Sequence, residues 1–286
     1  MIPALWIPDQ WIIEILMAIL IGLCFDRAQM GISLANYDAL FNGFGAIDLT
    51  VKKNIKAPMA YRVLVPFLVV WVERLLKTKP EYRMFIYQAF KAFFVVLAVW
   101  SVIHVFGLLV ALITFIILLA TIQYDYWDWP IELAAVVLAA GGMFVPALLV
   151  GILFAFSRET SLITGFVYLA ATGDWIGALI ITAIIGVILF GIRWFIGKRE
   201  LYCERFMWKY NLSLFKNFFK WKPFLYSPLF VSSAITIGTV LSVLVMPKYF
   251  PALILLLAGW ILAKADEPRI FSACIPFIAV LIGVSL

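Results

Sequence analysis

Runs of apolar residues at about the length that crosses a bilayer recur along almost the whole chain. They fall at 11–25, 59–76, 84–105, 107–122, 130–155, 160–172, 176–197, 227–246, 250–264 and 270–286. A spanning helix needs about 20 such residues, and several of these runs are shorter. The run 130–155 is long but interrupted by Gly141-Gly142 and Pro146, so it reads either as one kinked helix or as two short ones. The pattern predicts an all-α fold: a polytopic transmembrane helical bundle of about 9–11 membrane segments, some short or broken. Composition agrees, since only 13% of the residues are charged and soluble domains carry about 25%. No internal repeat or soluble domain is evident, and residues 1–286 read as a single integral membrane domain. Met1 to Gln10 lacks a basic region, and the apolar run after it ends at Asp26-Arg27 without a clear small-residue cleavage site. It is expected to be a retained first helix.

The formal net charge of +6 is read through the positive-inside rule rather than as a nucleic-acid signal, because nothing resembles a nucleic-acid module. Arg74, Lys77, Lys79 and Arg83 favour the cytoplasm, as does the basic stretch 193–222. That stretch interleaves Arg193, Lys198, Arg199, Arg205 and Lys209 with Trp194, Phe206 and Trp208, and reads as a basic amphipathic segment at the cytoplasmic lipid surface. On this scheme 27–58 is an external loop. An even number of crossings must then separate the two basic stretches, yet five runs lie between them. Splitting 130–155 restores the parity but puts Asp125 and Arg158 on the side opposite Asp38; letting 160–172 dip without crossing is the alternative.

Charge at membrane depth is costly, so such groups are paired, water-facing or functional. Four short patches stand out. Asp38, in Asn36-Tyr37-Asp38, is either a general base on an acceptor hydroxyl or a helix-capping loop residue; Asp26 and Asp48 are rival bases, and Asp26 has Arg27 as a neighbour to pair with. Arg62, in Tyr61-Arg62-Val63-Leu64-Val65-Pro66, is either a phosphate ligand or a snorkelling interfacial side chain. Asp125 and Asp128, at i,i+3 among Tyr124, Tyr126, Trp127 and Trp129, position a sugar hydroxyl or a cation, or belong to an aromatic belt before Pro130. Arg158 and Glu159, adjacent and so facing different ways on a helix, point to a polar network or to a plain loop. Asp266-Glu267-Pro268-Arg269, before the last run with its Pro276, reads as a solvated loop. His104, the only histidine, is expected to be structural. Three scattered cysteines support neither a disulfide framework nor a metal site. No HExxH, GxSxG, P-loop or dinucleotide fingerprint occurs.

The order of these patches resembles GT-C-type membrane glycosyltransferases, in particular short bacterial and archaeal members. The likeness runs through Asn36-Tyr37-Asp38, Tyr61-Arg62-Val63-Leu64-Val65-Pro66, Tyr124-Asp125, Arg158-Glu159-Thr160 and Glu267-Pro268-Arg269-Ile270-Phe271. The chain departs from larger members in lacking a soluble C-terminal domain and a clean Asp-x-Asp in the first loop. The resemblance implies a multi-pass protein of a prokaryotic cytoplasmic membrane that moves a sugar from a polyprenyl-phosphate donor to an acceptor hydroxyl, with inversion. Asp38, or Asp26, would be the base. Arg62 and Arg158 would neutralise the leaving phosphate, and Asp125, Asp128 and Glu159 would orient sugar hydroxyls or hold the arginines. Glu267 and Arg269, in what looks like the acidic-then-arginine element late in those chains, would also bind substrate. The partners would be membrane lipids and the lipid-linked sugar. The scheme requires no soluble cofactor, although it leaves room for a divalent cation. The alternatives are a non-catalytic transporter or flippase of lipid-linked substrates, and a membrane scaffold subunit.

Overall fold

The computed structural model describes residues 9–30, 64–121, 129–157, 159–196, 248, 279–280 and 282–283. Among them the chain is all-helical, with eight α-helices and no strand. They are α1 (Asp9–Ala28), α2 (Leu64–Leu76), α3 (Arg83–Phe106), α4 (Leu108–Thr121), α5 (Trp129–Ala140), α6 (Phe144–Ala155), α7 (Ile163–Thr172) and α8 (Trp175–Ile196). Short 3-10 turns, Pro80–Tyr82 and Glu159–Leu162, precede α3 and α7. Among the described residues two helices are long and apolar enough to cross a membrane, Arg83–Phe106 and Trp175–Phe195. The ambiguous run 130–155 is two helices of 12 residues each, α5 and α6, and the break falls at Gly141-Gly142.

α5 is the centre. Every residue from Trp129 to Ala139 is buried, including Glu132. A helix apolar nearly all round can be covered all round, and α3, α6 and α7 pack on it. Small side chains set the closest approaches. A methyl group on Gly141 would stand 2.8 Å from Val105 Cγ2, and one on Gly142 would stand 3.1 Å from Thr172 Cγ2. The ends of α3, α5 and α7 therefore meet there.

Three connections at that end are tight turns. Gly107, Gly142 and Gly173 hold φ of 92°, 70° and 73°, where a Cβ is disfavoured, and they join α3 to α4, α5 to α6 and α7 to α8. Asp174 starts α8 by accepting the N–H groups of Ile176 (3.1 Å) and Gly177 (3.0 Å) on Oδ1, a standard N-cap.

α1 lies antiparallel on α3, and the pairing of Glu14 with His104, Gly22 with Val96 and Asp26 with Lys91 fixes the register. α2 also runs antiparallel to α3, through the turn closed by Lys77 at φ 50° and the bidentate Arg83–Glu73 contact (2.7 and 3.0 Å). α1 and α2 therefore point the same way. Leu64 lies nine residues before Glu73, about 14 Å along the helix, which brings it roughly level with Asp26 and Lys91. The two helices follow one another along α3 as an interrupted single course. The sequence reading takes the two runs as successive crossings joined by an external loop, most of which, 31–58, lies outside the described residues. The C-terminal end of α1 points toward the end of α3 that carries the basic turn Lys77–Arg83.

Candidate functional site

The polar centre begins with Asp26 and Lys91. Lys91 is in the middle of an apolar run of α3 and only 1% exposed. Its Nζ stands 3.0 Å from Asp26 Oδ1, an ion pair rather than an aligned hydrogen bond. Arg27 does not take Asp26; it donates instead to the sulfur of Met30 (2.7 Å). The reason is geometric, because neighbours on a helix face different directions. Burying two charges costs several kcal/mol per ion unless each offsets the other, so the two must have been placed together by the packing of α1 on α3. Gln29, just past the end of α1 and with its buried Oε1 unpartnered among the described residues, and the buried Tyr87 of α3 each lie about one turn away.

The same level of the bundle gathers other chain ends. Phe25, next to Asp26, meets Phe115 of α4 (5.3 Å between ring centroids) and Trp129 of α5 (5.5 Å). The N–H of Leu64 donates to the carbonyl of Phe156 (3.1 Å), which ties the entry of α2 to the exit of α6. Ser157 is fully buried there and bonds back to Leu153 O (3.2 Å). The described residues flanking 31–63, 122–128 and 158 thus lie toward one end of the bundle, opposite the three glycine turns. α3 continues past this level from Lys91 to Arg83, about 12 Å. α8 also continues, since Gly186 lies opposite Leu162 and ten more residues follow. Arg83 and Arg193 sit on these extensions, and Arg74 sits in the last turn of α2.

Of the residues singled out from sequence, Asp26 is described with its side chain, and the backbone of Glu159 opens the 3-10 turn before α7. Asp38, Arg62, Asp125, Asp128, Arg158, Glu267 and Arg269 lie outside the described residues. Lys91 and Glu14 were missed, while Glu132, a possible partner for Arg158 by sequence, is buried on α5. The available signal was a single ionisable residue inside an apolar run, which at membrane depth is itself a functional or pairing flag. Glu14 accepts from Gln10 Nε2 (2.9 Å) and joins His104 Nδ1 (2.8 Å), whose ring stacks on Trp100 (5.1 Å) and meets Trp11 edge-on (5.4 Å). This is the structural role expected of His104. Among the described residues no cluster of His, Cys, Asp and Glu could hold a metal.

Comparison with protein-family models, with curated proteins and with solved structures finds no match to the chain.

Proposed function

We propose that this chain is a multi-pass membrane protein that transfers a sugar from a polyprenyl-phosphate donor to an acceptor hydroxyl, working at the polar end of its bundle. The observation that carries the reading is the gathering of chain ends around Asp26 and Lys91. The flanks of three polar stretches, those bearing Asp38 with Arg62, Asp125 with Asp128, and Arg158, share that end, as one active site requires. Membrane embedding is supported by the outward faces of α1 and α8, where Leu16, Leu20, Val187, Phe190 and Phe195 are exposed. It is supported too by the side-chain partners of α1. Glu14 and Asp26 are the charges that spoil its apolar run, and both are met by α3. The basic extensions of α2, α3 and α8 face the cytoplasm by the positive-inside rule.

In this scheme Asp38 takes the acceptor proton as the hydroxyl oxygen attacks the anomeric carbon, and the sugar–phosphate bond breaks. Arg62 and Arg158 receive the growing charge on the leaving phosphate. Asp26 and Lys91 hold α1 at the edge of the site. A second reading, movement of the lipid-linked substrate without chemistry, is favoured by the interrupted course of α1 and α2, since transport sites form at discontinuous helices.

The test is reconstitution in vesicles with a radiolabelled polyprenyl-phosphate sugar. The expected result is transfer to an acceptor, reduced at least about 100-fold by Asp38→Asn. Translocation of the intact donor with no transfer would replace the first reading by the second.

A further inference from the structure

Tryptophan concentrates at membrane–water interfaces, where its apolar ring and its N–H are both accommodated. Trp129 is buried in the bundle, whereas Trp11, Trp71, Trp175 and Trp194 are 43% to 78% exposed. These four stand at two levels. Trp11 meets His104 near the glycine turns, and Trp175 follows the turn at Gly173. Trp71 lies less than one turn before Glu73, which holds Arg83, and Trp194 lies in the last turn of α8. Two routes through the bundle give nearly the same separation of the levels. From Trp175 to Trp194, α8 rises about 28 Å. From Trp11 along α1 to Asp26, across to Lys91, along α3 to Arg83 and back to Trp71, the net rise is about 31 Å. Both match the hydrocarbon thickness of a bilayer, about 30 Å.

The surface between the levels is apolar. Every exposed residue of α8 from Trp175 to Phe190 is apolar, and so is every exposed residue of α1 from Trp11 to Leu23. The two helices pack on different neighbours, α1 on α3 and α8 on α6 and α7. The apolar band is therefore not confined to one face, as a docking site for a single partner would be. Charge collects beyond one level only. Arg74, Lys77 and Lys79 are exposed past Trp71, and Arg193 is exposed beside Trp194. The three glycine turns and the helix ends they join carry no lysine or arginine. Arg27, exposed a little inside the basic level, is long enough to snorkel to it. We infer that a lipid bilayer surrounds the bundle, its hydrocarbon bounded by Trp11 and Trp175 on one side and by Trp71 and Trp194 on the other, with the exposed cations among anionic headgroups of the second side. Asp26 and Lys91 then lie about 9 Å inside the second boundary and about 22 Å from the first. A substrate at their level is approached through one leaflet. By the positive-inside rule that leaflet is the cytoplasmic one, and the lipid-linked donor of the proposed transfer is drawn from it. This last step rests on the transferase reading, whereas the boundaries do not.

The experiment places single nitroxide labels on the full chain, with Cys24, Cys203 and Cys274 replaced by serine, in vesicles of phosphatidylcholine and phosphatidylglycerol. Collision with oxygen, which enters hydrocarbon, is compared with collision with a water-soluble nickel chelate. The labels stand at positions 13 and 20 of α1 and at 176, 180, 184, 187 and 195 of α8, all exposed. The oxygen-to-nickel ratio is expected to peak at 184 and to fall several-fold toward both 176 and 195. Position 20 is expected to match 184, and position 13 to match 176. A peak at either end of α8, or disagreement between the two helices, overturns the boundaries. Weak collision with both reagents at 184 and 187 means that a second copy or another part of the chain covers α8, and overturns them as well. For the leaflet, Lys79→Cys is expected to react with an impermeant thiol reagent only after intact cells are permeabilised; reaction before that overturns the cytoplasmic assignment. Sugar transfer is measured separately. The expected profile without transfer leaves the boundaries standing and removes the transferase reading; transfer with a displaced peak does the reverse.

Discussion

At one end of the bundle three connections are as short as helix-to-helix turns become, and each uses a glycine at positive φ. At the other end the sequence between described helices is longer and polar, and an aspartate–lysine pair is buried beside it. Both ends bury charge at the α1–α3 interface, but differently. Glu14 and His104 are linked by a 2.8 Å hydrogen bond under two tryptophans, with side chains 10% and 20% exposed. At Asp26–Lys91 the lysine is almost wholly enclosed while the aspartate keeps 18% exposure. The comparison teaches a division of labour: the turn end holds helices together by local backbone geometry, while the polar end depends on long-range placement of costly groups.

If that division is right, the largest loss comes at the polar end. Asp26→Ala removes the carboxylate that faces the enclosed Lys91 ammonium, and about 3–5 kcal/mol of stability is expected to go, as when one partner of a buried pair is removed. Unfolding in mixed detergent measures it, and Asp26→Leu with Lys91→Met should recover most of the loss. A loss under 1 kcal/mol for Asp26→Ala would erase the contrast between the ends. At the turn end, Glu14→Ala is expected to cost about 1.5–3 kcal/mol, the range of a hydrogen bond to a charged group, by the same measurement. Smaller again, Gly173→Ala should cost about 1–2 kcal/mol from backbone conformation alone, since nothing stands within 4 Å of an added methyl. Gly142→Ala should cost more than Gly173→Ala, because Thr172 crowds it. The smallest effect lies beyond the polar level: Lys77→Gly relieves a left-handed non-glycine residue and is expected to raise stability by up to about 1 kcal/mol.

The sequence made the helices legible and their partners much less so. Apolar runs located α3, α4 and α8 to within a residue or two, and Gly141-Gly142 marked the break between α5 and α6, because glycine's freedom at positive φ is a local property. The common direction of α1 and α2 along α3 was not legible, since charge counting carries no information on which helices pack together. The Asp26–Lys91 and Glu14–His104 contacts join residues 65 and 90 positions apart, and no local pattern carries such a pairing. Arg27 was the plausible partner for Asp26 by proximity in sequence, and helix geometry excluded it. Ser161 and Thr164 fall inside the apolar run 160–172, where nothing in the pattern shows that their hydroxyls are buried without a partner among the described residues.

The central claim is that the polar stretches share one end of the bundle and the glycine turns the other. Single cysteines at positions 38, 125 and 158, and at 108, 143 and 175, placed in a chain whose Cys24, Cys203 and Cys274 are serine, can be labelled in sealed vesicles with an impermeant thiol reagent. The account predicts that 38, 125 and 158 are labelled from one side and 108, 143 and 175 from the other. Labelling of 38 from the side opposite 125 or 158, or of any of these three from the side of the glycine turns, would contradict it.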